Sequence, residues 1–285
     1  MAKIIESIVT KNRCYTGGRK ITVRGLMLHS VGCPQQKAHV FVSTWNSQTA
    51  GVCPHGIIDG NDGIVYQTLP WDHRGWHGGS GSRGSGNNTH IGIEMCEPAC
   101  IRYTSDSRFT CSDPAKAKAV VRKTYNSAVE LFAMLSAKYG LNPLEDGVII
   151  SHKEGCARGI ASNHGDPEHL WDGLGIGYTM DTFRAAVFAK MQGINLTFET
   201  GKSYTVLKSC YLRMSAGASK SNKTAYSAVS EAVKKKCRKK DGYAVFKKGQ
   251  TFRLVSVKNV NGNIWGRMKS GWWIPLIYSS VIRIR

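Results

Sequence analysis

Three short runs constrain this chain more than anything else in it: "VRGLMLHSVG" (23–32), "THIGIEMCE" (89–97) and "DGVIISH" (146–152). Each is nearly continuous in apolar residues, too short for a helix and bounded by turn formers, so each reads as a buried strand. The first ends at His29 and the last delivers His152 at its end. Helix-like segments lie between them. One runs from about Gln35 to Asn46. A longer one starts at Asp113-Pro114, an N-cap and N1 proline, carries Val120, Val121, Ala128, Leu131 and Leu135 at helical spacing, and stops at Gly140. Asn61-Asp62-Gly63 supplies the turn of a hairpin over 55–69, and "HGGSGSRGSGNN" (77–88) is polar enough to predict a mobile loop. With a last helix at 181–191, these elements predict an α/β domain over residues 1–195, a mixed central β-sheet flanked by helices.

The remainder reads differently. Residues 203–285 have turns at Asp241-Gly242, Lys248-Gly249 and Asn261-Gly262 and a helical reading only over 226–240, which predicts a small all-β barrel. Of the formal net charge of +20, +16 falls in residues 196–285, where only Glu199, Glu231 and Asp241 are acidic. That imbalance asks for a polyanionic partner, with nucleic acid, an anionic membrane and an anionic wall polymer all compatible. No nucleic-acid-binding motif accompanies it. No stretch approaches the ~18–20 apolar residues of a membrane span. The N-terminus lacks an apolar run and a cleavage site, so the expectation is synthesis in the cytoplasm without a signal peptide. Nine cysteines, an odd number, fit reduced thiols better than a disulfide framework.

Histidines at the ends of buried strands can be aimed precisely at an ion. "SHKEGCARGIASNHGDPEHLW" (151–171) then offers Cys156, His164, Asp166 and His169 as candidates for a third ligand. A catalytic zinc takes three protein ligands and keeps one position open. Glu94 sits on a strand between Ile93 and Met95, a setting for a buried acid.

Four blocks, "MLHSVG", "CPHGIIDGNDGIVYQTLPWDHRGWHGG", "NNTHIGIEMCEP" and the 151–171 segment, occur in an order that resembles the zinc-dependent N-acetylmuramoyl-L-alanine amidases of the peptidoglycan-recognition-protein type. The resemblance implies His29, His152 and Asp166 as zinc ligands, with Cys156 as the runner-up, and Glu94 as the catalytic acid–base. It places His164 where many relatives carry an oxyanion-stabilising lysine, and Pro54 where some carry tyrosine. The interval from His152 to Asp166 is longer than usual. Trp71, Trp76, His77 and Asn88 are the implied substrate contacts, and His55 a supporting residue. The last third resembles bacterial SH3-like wall-binding domains, with Trp265, Trp272, Trp273 and Tyr278 as its aromatic contacts. Together these imply a phage or prophage endolysin made in the host cytoplasm and acting on the wall after release, with peptidoglycan as substrate and teichoic acid as a possible anionic partner. The alternative they leave is a non-catalytic peptidoglycan-binding protein.

Overall fold

The computed structural model describes residues 2–105 and 107–285, which form two compact units. The first comprises residues 1–143 and 147–176, and the second residues 144–146 and 177–285.

In the first unit the elements run β1 (Ile4–Glu6), α1 (Arg13–Thr16), β2 (Gly25–Ser30), α2 (Ala38–Trp45), β3 (Gly56–Ile58), β4 (Val65–Gln67), β5 (His90–Met95), β6 (Ile101–Ser105), β7 (Arg108–Cys111), α3 (Pro114–Tyr139), β8 (Ile149–Ser151), α4 (His152–Ala157) and α5 (Glu168–Gly173). Six strands make one mixed sheet in the order β1-β4-β3-β5-β2-β8. The pairs β3/β5, β5/β2 and β2/β8 are parallel, and the β3–β4 hairpin supplies the antiparallel step. Every residue of β2, β5 and β8 is buried, the mark of parallel strands covered on both faces. Leu26, Leu28, Ile91 and Ile93 are wholly buried, each contributing about 1.5–3 kcal/mol.

Helix α3 starts where its sequence directs. The Asp113 carboxylate accepts from the Lys116 N–H at 3.0 Å, and Gly140 ends the helix with φ 63°. Its buried stripe, Val121, Tyr125, Ala128 and Phe132, packs toward β3 and β5. Ala38 and Trp45 of α2 join Val9, Cys53, Ile57, Leu69 and Cys96 in a second apolar cluster.

The loop expected to be mobile is tied down. The Arg83 and Gly86 N–H groups donate to the carbonyls of Gly159 and Ile160, and Asn87 is buried. Backbone groups beside a covered sheet need partners, and this loop finds them in the 155–162 segment. Residues 101–105 and 108–111, unassigned in the sequence reading, pair antiparallel as β6 and β7.

The second unit contains α6 (Met180–Met191), β9 (Ser203–Thr205), β10 (Cys210–Tyr211), α7 (Glu231–Lys234), β11 (Cys237–Lys240), β12 (Tyr243–Phe246), β13 (Thr251–Val260), β14 (Asn263–Met268), β15 (Trp273–Tyr278) and β16 (Val281–Ile282). The sequence reading assigns α6 to the first domain. It belongs here, because the Asp181 carboxylate accepts from the Asn259 N–H of β13 at 2.9 Å. Strands β16-β15-β14-β13-β9 form an antiparallel sheet, and Val206 pairs with Ile284, so its two edges meet. A three-stranded sheet, β10-β12-β11, completes the unit.

The expected helix over 226–240 is also corrected. Only Glu231–Lys234 is α-helical, and Cys237–Lys240 pairs as an edge strand with β12. That stretch has too few apolar residues to cover a helical stripe, whereas Cys237 is buried opposite Phe246 in the strand. Among the described residues, no helix is long and apolar enough to cross a membrane, and all nine cysteines are free thiols.

Candidate metal centre

Strand register assembles the site. Pairing of β2 with β5 sets His29 beside Glu94, and pairing of β2 with β8 sets Leu28 beside Ser151, so His152 follows next to His29. All three residues therefore lie at the carboxyl ends of parallel strands, where open α/β sheets place their ligands. The capping box of Ser151 and Glu154 starts α4 at His152 itself. Asp166 arrives from the loop before α5, its Oδ2 accepting from the Ser30 N–H at 3.3 Å.

The result is a buried cluster of His29, His152 and Asp166 whose candidate ligand atoms all lie within 4.8 Å of one another. The two Nδ1 atoms are 3.0 Å apart, and Asp166 oxygens lie 3.3 Å from that of His29 and 3.5 Å from that of His152. Two imidazole nitrogens and a carboxylate converging in a buried place are a zinc donor set, and the residues present fit that ion.

Electrostatics agree. Burial works against the carboxylate form of Asp166, but its hydrogen bond to His29 and the nearby imidazoles prevail and hold its pKa below the usual value. Burial, with the charge of His29, pushes His152 down to about 4, so it is a neutral donor. For His29, burial opposes protonation and the Asp166 and Glu94 carboxylates outweigh it, raising its pKa. Glu94 is pushed up to about 7, chiefly by burial. Its Oε2 has no hydrogen-bond partner among the described residues.

The cluster opens on a cleft of about 1090 Å³. His29, Glu94, His152 and Asp166 line it, together with Trp76, His77 and His164 from the sequence reading. Trp76 is 55% exposed at the rim, with the Arg74 guanidinium 5.8 Å from its ring. The His164 ring lies against that of His152, tilted by 38° with centroids 4.6 Å apart.

Other expectations are corrected. Trp71 is buried away from the cleft, its ring close to Gly56 of β3, so it is core. Asn88 points outward and accepts from the Arg74 side chain at 2.8 Å. Its neighbour Asn87 turns inward and is buried, with Oδ1 accepting from the N–H groups of His77 (3.1 Å) and Gly78 (3.0 Å). Cys156 lies outside the cluster, its thiol 3.9 Å from Asn163 Oδ1. In the second unit, Trp265 is 2% exposed and belongs to the interior, while Trp272, Trp273 and Tyr278 are half-buried.

Sequence reasoning missed the far wall, where Tyr103 donates to Glu97 at 2.6 Å and its oxygen lies 2.7 Å from His169 Nε2. Glu97 is fully buried and pushed up to about 7 by that burial. The signal for this wall was the β-rich "IRYTS…RFT" on either side of a polar turn.

Comparison with known proteins bears on this geometry. A family profile described as N-acetylmuramoyl-L-alanine amidase (Amidase_2) matches residues 18–169, more than half of the chain and the whole of the cluster. The chain belongs to this amidase family. Two curated relatives from Bacillus subtilis (strain 168), the N-acetylmuramoyl-L-alanine amidases CwlH and XlyA, are each 54% identical over 45 residues. That segment is 16% of this chain and covers 17% and 14% of the two relatives. Among solved structures, a mutant endolysin from Bacillus subtilis is similar at 24% identity, covering 66% of this chain and 99% of its own, with a TM-score of 0.44. The family assignment embraces the cleft and says nothing of the second unit.

Proposed function

We propose that this chain is a zinc-dependent N-acetylmuramoyl-L-alanine amidase of the endolysin type, hydrolysing the amide between the lactyl group of N-acetylmuramic acid and L-alanine in bacterial peptidoglycan. The observation that carries the reading is the buried His29–His152–Asp166 cluster with the Glu94 carboxylate beside it, at the floor of an open cleft in an amidase-family chain.

His29 and His152, through Nδ1, and Asp166 would hold the ion. Bound there, zinc would supply Lewis acidity, acidifying a water and polarising the scissile carbonyl. Glu94 takes the proton as the water's oxygen attacks the carbonyl carbon, and returns it to the alanine nitrogen as the C–N bond breaks. A buried carboxyl group paired in register with His29 is placed for both transfers. His164, exposed on the cleft wall, donates an N–H to the developing oxyanion. Trp76 provides an apolar platform at the rim for sugar or peptide. The products are a lactyl carboxylate and a free L-alanine amine.

The second unit, as an SH3-like wall-binding domain (203–285), holds the enzyme near its substrate, its cations pairing with wall phosphates and carboxylates such as those of teichoic acid. The half-buried Trp272, Trp273 and Tyr278 add apolar contact.

Purified peptidoglycan incubated with the full chain tests the reading. New N-terminal alanine should appear, stop on chelation and resume on adding zinc. Wall binding without released alanine would establish the non-catalytic alternative, and release indifferent to chelation would remove the metal from the reaction.

A further inference from the structure

His77 lies on the metal-centre face of β5 yet is 7% exposed, and its hydrogen bonds dictate what its ring can do. Its Nε2 sits 3.1 Å from the His90 carbonyl oxygen, which can only accept, so Nε2 carries the proton and Nδ1 is bare. That bare Nδ1 lies 2.9 Å from His29 Nε2. His29 must then keep a proton on Nε2, so Nδ1, the atom facing His152 and Asp166, is the nitrogen that carries the lone pair whenever the ring is neutral, as it must be to bind an ion. His77 thus sets the tautomer of His29.

Two features show that the fold accommodates this contact. Gly92 of β5 is the position over which the His77 ring lies, and a Cβ there would overlap ring atoms Cγ, Nδ1 and Cδ2. Glycine in mid-strand weakens a sheet, so its presence needs a close approach of this kind. Asn87 holds the backbone of His77 and Gly78 through one amide oxygen. The Gly78 carbonyl in turn accepts from the Ser162 N–H at 2.9 Å and from its Oγ at 3.4 Å, which leaves Oγ to accept from His152 Nε2 at 3.1 Å. The same short segment therefore presets His152 as well, again with Nδ1 toward the centre.

We propose that His77 is a positioning residue that fixes His29 in its metal-binding tautomer, admitted by the missing side chain at Gly92, and is not a contact for the substrate. The proposal rests on the zinc reading above for its consequence, though not for its geometry. Partners of this kind hold ligand rings in place and are worth roughly 10- to 100-fold in metal affinity.

The test uses the full chain and a chromophoric zinc competitor. His77→Leu, which removes the acceptor, should weaken zinc binding roughly 10- to 100-fold, while His77→Asn, whose Oδ1 falls near the position of Nδ1, should recover most of it. Gly92→Ala should weaken zinc binding in the parent and do so far less in a His77→Ala background, where no ring remains to displace. KM of the zinc-saturated variants should stay near the parent value. Unchanged zinc affinity in His77→Leu with a raised KM would make His77 a substrate contact and overturn the proposal. An equal effect of Gly92→Ala in both backgrounds would overturn the role of the glycine. Imidazole ¹⁵N spectra of the metal-free chain, assigned with a His29→Gln variant, provide a readout independent of zinc. At a pH where His29 is singly protonated it should show the Nε2–H tautomer in the parent and lose it in His77→Leu, and a neutral His29 protonated on Nδ1 in the parent would refute the proposal. Should the parent bind no zinc while the tautomer is present, the zinc reading fails and the role of His77 in setting the ring survives.

Discussion

The cleft at the ends of β2, β5 and β8 and the edge strand β11 both concentrate ionisable side chains, but under opposite conditions. In the cleft, Glu94, His152 and Asp166 are each less than a tenth exposed, and every one has a fixed neighbour on an adjacent strand or loop. On β11, Arg238, Lys239 and Lys240 are exposed, follow Lys235 and Lys236, and lie at the rim of a three-stranded sheet. Where charge is buried, position decides the energy, because low dielectric magnifies each contact and each misplacement. Where charge is exposed, number decides it, since each cation acts weakly and salt screens it over ~8 Å. Removing one residue should therefore abolish the first region's behaviour and only thin out the second's.

The sharpest way to break that contrast is Asp166→Ala. Loss of a ligand should abolish tight zinc binding and reduce turnover by about 10³-fold or more, since the metal supplies several kcal/mol to the transition state. Cys156→Ser should retain its zinc. Metal analysis of the two variants checks this, and zinc lost only from Cys156→Ser would overturn the ligand set. Next comes Glu94→Gln, which should keep zinc and wall binding yet lose about 10²-fold or more in kcat. Full activity there would remove the carboxylate from the proton transfers.

A third test concerns burial alone. Glu97 is pushed from 4.5 up to about 7 in the folded chain. Between those values the folded state holds a proton that the unfolded state has released, so the contribution of Glu97 to stability is fully present below about pH 4.5 and is lost as pH rises toward 7. Glu97→Gln should remove part of that decline, on the order of 1–3 kcal/mol between pH 5 and 8, in denaturant titrations of the metal-free chain. A pH slope identical to that of the parent would mean the site is wetter than its burial implies.

The smallest effects belong to β11. Lys239→Ala should alter stability by no more than about 0.5 kcal/mol. Combined with Arg238→Ala and Lys240→Ala in the inactive Glu94→Gln chain, it should loosen adhesion to purified walls in steps, more at low salt than at high, and less on walls stripped of teichoic acid. Adhesion indifferent to salt would shift the role to Trp272, Trp273 and Tyr278.

What the sequence could reveal follows the same division. His29, His152 and Glu94 were legible because an apolar run fixes a strand, and a strand fixes where its last residues point. Asn88 and Trp71 were misread because side-chain type does not tell which way a loop residue faces: Asn87, one position earlier, turns inward, and Trp71 fills the core beside Gly56. Trp265 was misread for a related reason, since a tryptophan on a small sheet serves an interior and a surface equally well and only packing decides. The β11 strand was missed because its lysines carry no periodicity, and the pairing of Cys237 with Phe246 is a long-range fact. The Tyr103 wall escaped because its strand pair lies between two stronger signals.

The pairing of His29 with Glu94 also bears on how such a chain can diverge. Alternate residues of a strand face opposite ways, so one residue inserted into or deleted from β2 would exchange His29 for Leu28 on the cleft side and thrust a polar ring into the core. Both folding and chemistry would fail in the same event, and no second substitution elsewhere would repair it. Insertions and deletions are therefore confined to the connections, where doubling a loop's length costs only about 0.6 kcal/mol. The segment between His152 and Asp166 is such a connection: α4 and the bonds with Arg83, Gly86 and Gly78 hold it as far as Ser162, the Ser30 N–H holds Asp166, and residues 163–165 between them are where it can lengthen into a new cleft wall. Differences in what related chains accept as substrate are thus expected in loop lengths, while the strands stay the same length residue for residue.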